Sequence, residues 1–247
     1  MFLYLFVFFF YSSWGTDGPF QQYPLVTTFH PVAGSGVAHT TLSWAGLVGA
    51  ITGYSSNGIG ISEKVWDAYN GAKPINGYAW NFLLQDILRY DIDTDSALSR
   101  IATANRTCSI WIGIGDYFNQ QFKIVAYSNQ LVEIINPRNF VPYQNHPTYS
   151  DLLFINKHVQ PSTEPCMNDI INKWYGSIDA LVLFQQITAL EQTGNMHIAV
   201  YDFSNQLMYI SNASPGDGHG NNVTNAYDQP FIRFNMTEQW TMAAPAF

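Results

Sequence analysis

Residues 43–64 read SWAGLVGAITGYSSNGIGISEK, and the fold follows from how this stretch divides into strands. It continues a small, apolar run, HTTLSWAGLVGAITG at 39–53, which predicts a strand. Gly46, Gly49 and Gly53 in it suit a place where another backbone packs closely. Ser55-Ser56-Asn57-Gly58 predicts a hairpin turn, because Asn-Gly tolerates positive φ. GIGISEKVW at 58–66 then returns as the partner strand. On the N-terminal side, YPLVTTFHPV at 23–32 reads as a strand ending at Pro31, and AGSGVAH at 33–39 as a break.

Beyond the hairpin the apolar period changes from two to 3.6. A helix is expected over 78–90, with Phe82, Leu83, Ile87 and Leu88 inward. A second should start at Thr94 as N-cap, carry Ala97, Leu98, Ile101 and Ala102 inward, and end near Asn105. Strands follow at CSIWIGIGD (108–116), FKIVAYS (122–128) and LVEIIN (131–136), with a short apolar run DLLFIN at 151–156. Helices are expected at 168–176 and 178–192. NMHIAVYDF (195–203) and NQLMYIS (205–211) form a hairpin, and a last strand lies near 231–234. Strands, a helix pair, strands, a helix pair and strands again predict an α+β fold: an αββα sandwich of antiparallel sheets with helices outside. Residues 22–247 form one domain.

Composition narrows the function. Apolar residues make up 47% of the chain and charged residues only 11%, the opposite of a disordered composition. The formal net charge is −8 and the ten Lys and Arg are scattered singly. A phosphate-tracking groove needs clustered cations, so nucleic acid is not an expected partner. MFLYLFVFFF at 1–10 is too short for a spanning helix. Residues 1–15 can be read as a signal peptide, a buried strand or an artefactual start. Sequons occur at Asn105, Asn212, Asn222 and Asn235. Cys108 and Cys166 could pair in an oxidising compartment or stay as thiols. A secreted or lysosomal lumen is the expected location.

Other chemistries find little support. His30, His39, His146, His158, His197 and His219 show no metal-ligand spacing. Asp91, Asp93 and Asp95 alternate, but the glycine and terminal Glu of a calcium loop are missing, so helix capping explains them better. Neither GIGISE nor GIGDYF has dinucleotide spacing, and no GxSxG elbow occurs. No metal or cofactor is expected.

Over residues 22–212 the chain resembles the acid-ceramidase-like and acyltransferase-like amidases, a family of N-terminal-nucleophile (Ntn) hydrolases. The matching pieces are Ala45-Gly46, Gly49, Thr52-Gly53, then Ser62-Glu63, followed by the helix pair and by FINKHVQ at 154–160. The resemblance implies self-cleavage that exposes a catalytic Cys, whose own α-amine serves as base. The thiolate would attack a fatty-acyl amide such as N-acyl sphingosine, and water would release the acyl group. Asn156 matches the family's oxyanion donor, or else caps a strand end. His158 could line the same pocket. Glu63 matches the acidic residue at the hairpin's end, a catalytic-site candidate that would orient the active site or take part in self-cleavage, or else is a plain surface carboxylate. The family's "CTS" strand and the "HGRN.D" strand after it are absent, and neither Cys108 nor Cys166 stands where the nucleophile should. Cleavage before Thr16 would offer a Thr nucleophile instead. The resemblance therefore implies a chain truncated upstream of its nucleophile, needing an upstream segment or partner chain. The alternative is a non-catalytic secreted protein that keeps the fold and binds lipids or acyl amides.

Overall fold

A computed structural model describes residues 5–10, 22–66, 69–72, 74–141, 148–153, 165–192, 194–214, 216 and 224–243. Two antiparallel sheets form the centre. The larger has seven strands in sequence order: β2 (Pro24–Phe29), β3 (His39–Trp44), β4 (Thr52–Ser55), β5 (Ile59–Val65), β6 (Ser109–Asp116), β7 (Gln121–Ser128) and β8 (Val132–Ile135). The smaller has the order β1 (Leu5–Phe10), β9 (His197–Asp202), β10 (Leu207–Asn212), β11 (Ile232–Asn235). This is the α+β architecture expected from the order of elements.

Strand alternation decides what each face of the large sheet touches. Ile59, Ile61, Ile110, Ile112, Ile114, Val125 and Tyr127 form one buried cluster with Leu83, Leu84, Ile87 and Leu88 of α1 (Trp80–Tyr90) and Ala97 and Ile101 of α2 (Thr94–Thr103). The opposite face supplies Leu42 and Tyr54, which pack against Ala199, Tyr201, Met208 and Ile210 of the small sheet. The small sheet's far face, with Ile198 and Val200, is covered by α3 (Pro165–Trp174) and by the helical run at 180–191. That run comprises α4 (Ala180–Val182), a π-helical segment Leu183–Thr188 and α5 (Ala189–Glu191). A short α6 (Met236–Thr241) closes the sandwich at β2 and β3. Helices, sheet, sheet and helices thus follow one another through the core.

The decisive stretch folds differently from the single strand expected over 39–53. β3 stops at Trp44 and β4 starts at Thr52. Gly46 and Gly49 between them have φ of 92° and 99°, a left-handed backbone that cannot continue a strand. The close approach is real but lies at this turn: a Cβ on Gly49 would sit 2.7 Å from the Asn81 carbonyl oxygen. Ala50 donates its N–H to that oxygen at 2.8 Å, which pins the turn to the start of α1. The 55–58 hairpin turn forms as expected, with Gly58 at φ 79°.

Smaller corrections share one physical theme, that local bonds outrank pattern. Asp93, not Thr94, caps α2: its carboxylate accepts from Ser96 N–H at 2.7 Å in a capping box. In α1, Leu84 is buried while Phe82 is 41% exposed, and in α2 Ala102 faces solvent. Cys108 precedes β6 rather than lying within a strand, because it takes a left-handed φ of 66°. Residues 151–153 form no strand, and the rest of DLLFIN lies outside the described residues.

Candidate functional site

The hairpin of β4 and β5 sends alternate side chains to opposite layers. Thr52 and Ser62 are register partners and face the small sheet. Opposite them, β9 presents His197 and Tyr201. Thr52 Oγ1 lies 3.2 Å from His197 Nε2. Tyr201 Oη donates to the Ile61 carbonyl at 2.7 Å and so accepts from Ser62 Oγ at 3.0 Å. Trp44 meets the His197 ring edge-on, with centroids 5.4 Å apart. All four polar side chains are fully buried. Burial pulls the His197 imidazole down to about 3, so it is neutral across the physiological range. Burial also holds the Tyr201 phenol well above its ordinary value. The set laces the two sheets together by hydrogen bonds between neutral groups.

Glu63 belongs to the other layer. Its register partner is Ile112, and both lie on the face that Ile59 and Ile61 present to α1 and α2. Far from being a surface carboxylate, it is 9% exposed. Burial raises its carboxyl to about 8, against a smaller downward pull from Lys64. At neutral pH this group holds its proton. It does not share a layer with Thr52, Ser62, His197 and Tyr201.

Asn156, His158 and Thr16 lie outside the described residues, as does the sequon at Asn222. Of the other sequons, Asn105 is exposed, Asn235 is the N-cap of α6, and Asn212 ends β10 with its side-chain oxygen buried opposite His197. Cys108 packs against the α1–α2 cluster. Cys166 is exposed in the first turn of α3 on the opposite outer layer. A disulfide needs Cα atoms about 4.4–6.8 Å apart, which the two intervening sheets preclude. His197 and Tyr201 were not singled out by sequence. Thr52 and His197 are 145 positions apart, and no spacing rule links them. No group of three or more His, Cys, Asp or Glu side chains suited to a metal occurs among the described residues.

No protein-family model matches the chain. Two curated proteins of Dictyostelium discoideum are similar to it. Protein dcd1B is 35% identical over 244 residues, covering 94% of this chain and 48% of its own length. Protein dcd1A is 37% identical over 232 residues, covering 88% and 52%. The chain thus spans about half the length of the curated relatives it matches. Among solved structures, a Caenorhabditis elegans ortholog of N-acylethanolamine-hydrolyzing acid amidase aligns with TM-score 0.49 and 12% identity, over 81% of this chain and 86% of that one. A mutant of conjugated bile acid hydrolase from Clostridium perfringens gives 0.48 and 11%, over 82% and 78%. Penicillin V acylase from Agrobacterium tumefaciens gives 0.39 and 14%, over 77% and 73%.

Proposed function

We propose that this chain is the scaffold-forming part of an Ntn-type amide hydrolase acting on linear fatty-acyl amides, with the nucleophile brought by polypeptide outside these 247 residues. The supporting observation is the layering. The stretch that carries the family resemblance, 43–64, forms the middle of the larger sheet of an αββα sandwich, and its polar end meets His197 and Tyr201 between the sheets. In this mechanism a thiolate attacks the amide carbonyl, the C–N bond breaks, and the amine leaves with a proton. Water then cleaves the acyl-enzyme and regenerates the thiol. Asn156 would donate to the oxyanion. Glu63, protonated at neutral pH, would hold a hydrogen bond beneath the hairpin rather than a charge.

The test compares the purified chain alone with the chain co-expressed with a Cys-bearing upstream segment. Alone, it should bind a fluorescent N-acyl amide saturably and release no acid. Co-expressed, it should hydrolyse the amide, and Asn156→Ala should abolish turnover while sparing binding. Hydrolysis by the chain alone, surviving Cys108→Ala and Cys166→Ala but lost with Thr16→Ala, would replace this reading with a Thr nucleophile. Absence of the reacting Cys, Arg and Asp strings from the sequence favours a second reading, a secreted acyl-amide-binding protein. Binding with no gain of hydrolysis on co-expression selects it.

A further inference from the structure

The larger sheet leaves a gap at one corner. β8 pairs with β7 only from Ile124 onward, opposite Ile135, so Gln121, Phe122 and Lys123 of β7 run on without a β8 partner. Beyond Ile135 the chain turns away through 136–139. The gap is a cleft of about 370 Å³, lined among the described residues by Gln120, Gln121, Lys123, Asn136, Arg138 and Asp151, with Phe122, Pro137 and Ser150 completing the wall.

The rims of the cleft are preorganised. Asn136 Oδ1 accepts from Arg138 N–H at 2.9 Å, and Asn139 Oδ1 from Asn136 N–H at 2.7 Å. Asn139 Nδ2 donates to the Ile134 carbonyl at 2.8 Å. Gln120 closes a tight turn at φ 50°, in which Asp116 accepts from the Asn119 backbone and side chain at 2.9 and 2.8 Å. Asp151, in the cleft wall, receives the Tyr175 hydroxyl at 2.5 Å on Oδ1.

Four cations elsewhere in the described residues are engaged. Arg89 donates to the Ser35 carbonyl, Arg100 clasps Asp91 with two bonds, and Arg106 holds the carbonyls of Ser128 and Ala102. Lys173 lies over the Trp174 ring. Neither Lys123 nor Arg138 makes a side-chain hydrogen bond or ion pair among the described residues. In a chain of net charge −8 with ten cations, Lys123 on β7 and Arg138 in the turn after β8 line one cleft without a partner among the described residues, an arrangement suited to an anion.

We propose that this cleft binds a small ligand carrying a phosphate beside an ammonium or hydroxyl group. The phosphate lies between Lys123 and Arg138, the amides of Gln120, Gln121 and Asn136 supply further donors, and Asp151 takes the ligand's own donor. The site shares no lining residue with the hairpin's polar set and does not depend on amide hydrolysis by the chain. Phosphoethanolamine meets these requirements either as a soluble compound or as a lipid headgroup.

Calorimetric titration of the full chain with O-phosphoethanolamine and with inorganic phosphate tests it. Sedimentation with phosphatidylcholine vesicles, with and without phosphatidylethanolamine, tests the lipid source. O-Phosphoethanolamine should saturate the protein and bind more tightly than inorganic phosphate. Arg138→Gln should weaken it roughly tenfold or more, as expected for loss of hydrogen bonds to a charged partner, and Arg138→Lys should restore part of the loss. Asp151→Asn should erase the preference over inorganic phosphate while leaving phosphate binding in place. Arg138 and Asp151 are exposed, so their variants should keep the wild-type melting temperature. Binding of the soluble compound assigns a soluble ligand, and phosphatidylethanolamine-dependent sedimentation assigns a headgroup. Saturation by neither, or binding unchanged in both Arg138→Gln and Lys123→Gln, overturns the proposal.

Discussion

The two faces of the seven-stranded sheet solve burial in opposite ways. Toward α1 and α2 the layer is built from isoleucines and leucines, and its stability comes from area and close packing. Two ionisable side chains, Glu63 and Tyr127, are set into it, and burial raises both. Toward the small sheet, the layer mixes Leu42 and Tyr54 with hydroxyls and an imidazole whose hydrogen bonds are matched across the sheets. The outer face thus tolerates a proton-holding acid among hydrocarbons, while the inner face joins Thr52 to His197 and Ser62 to Tyr201 by hydrogen bonds across the sheets. Removing apolar volume should hurt the first most, and removing one bonding partner should hurt the second.

The largest effect is expected from Leu88→Ala. Leu88 is fully buried, and its side chain lies against the backbone at Gly53. The cavity should cost about 2–5 kcal/mol, read as a lowered urea midpoint at unchanged slope. A cost under about 1 kcal/mol would mean that the outer face can collapse onto the gap and is less close-packed than described.

Glu63→Gln should act in the other direction. The carboxyl sits at about 8 when folded and 4.5 when unfolded. Its contribution is therefore fully present below pH 4.5 and is lost as pH rises toward 8. At pH 7 the amide should be more stable than wild type by on the order of 3 kcal/mol, with no gain at pH 4. His197 has the opposite sign: about 3 when folded against 6.5 when unfolded. Its contribution is present above pH 6.5 and is lost as pH falls toward 3. The two slopes cancel between pH 4.5 and 6.5, so wild-type stability should plateau there and fall on both sides. Unfolding curves across pH 3–8 check this. A Glu63→Gln variant with the same decline above pH 6.5 would place the titrating group elsewhere.

On the inner face, Tyr201→Phe deletes one hydroxyl and leaves the Ile61 carbonyl and Ser62 Oγ buried without it. A loss of about 1–3 kcal/mol is expected. The double variant Ser62→Ala with Tyr201→Phe should lose less than the sum of the singles, because the two groups share one network. Additive losses would show that the hydroxyls do not work as a pair.

The sequence revealed the architecture far better than the site. The αββα order was legible because each layer writes its own period: two in FKIVAYS, 3.6 in the α1 run with Leu83, Ile87 and Leu88. The hairpin at Asn57-Gly58 was legible because turn chemistry is local. The turn between β3 and β4 was missed because left-handed glycines and strand-packing glycines look alike in sequence. Gly49 reveals its role only through Asn81, 32 positions away in the chain, whose carbonyl the turn touches. The inner polar set was illegible for the same reason at larger scale, since Thr52 finds His197 only after both sheets have formed. Glu63 was legible only as a match to the acidic residue at the end of the family's hairpin. Its layer was not, because a one-residue change of register sends a side chain to the other face.

The smallest expected effect concerns how the outer helices are held over their face. α2 packs through only Thr94, Ala97 and Ile101 as fully buried residues, a narrow apolar stripe for a ten-residue helix. Its start is therefore set by the capping box, in which the Asp93 carboxylate accepts from Ser96 N–H at 2.7 Å and Ser96 Oγ receives the Asp93 N–H at 3.2 Å. Hydrogen bonds from Ser96 hold the Asp93 carboxyl below the usual range, so the cap strengthens as the acid ionises. Asp93→Ala should cost about 1 kcal/mol at pH 7, and less as pH falls and the wild-type carboxylate protonates. Asp93→Asn keeps the acceptor and should recover most of the loss at every pH. Amide exchange would locate the effect: faster exchange confined to the first turn of α2, with the Leu83–Leu88 amides of α1 unchanged, is the result of a frayed cap. Faster exchange throughout α1 as well would mean that the cap secures the whole outer layer, and the contrast between a packed outer face and a bonded inner one would then need redrawing.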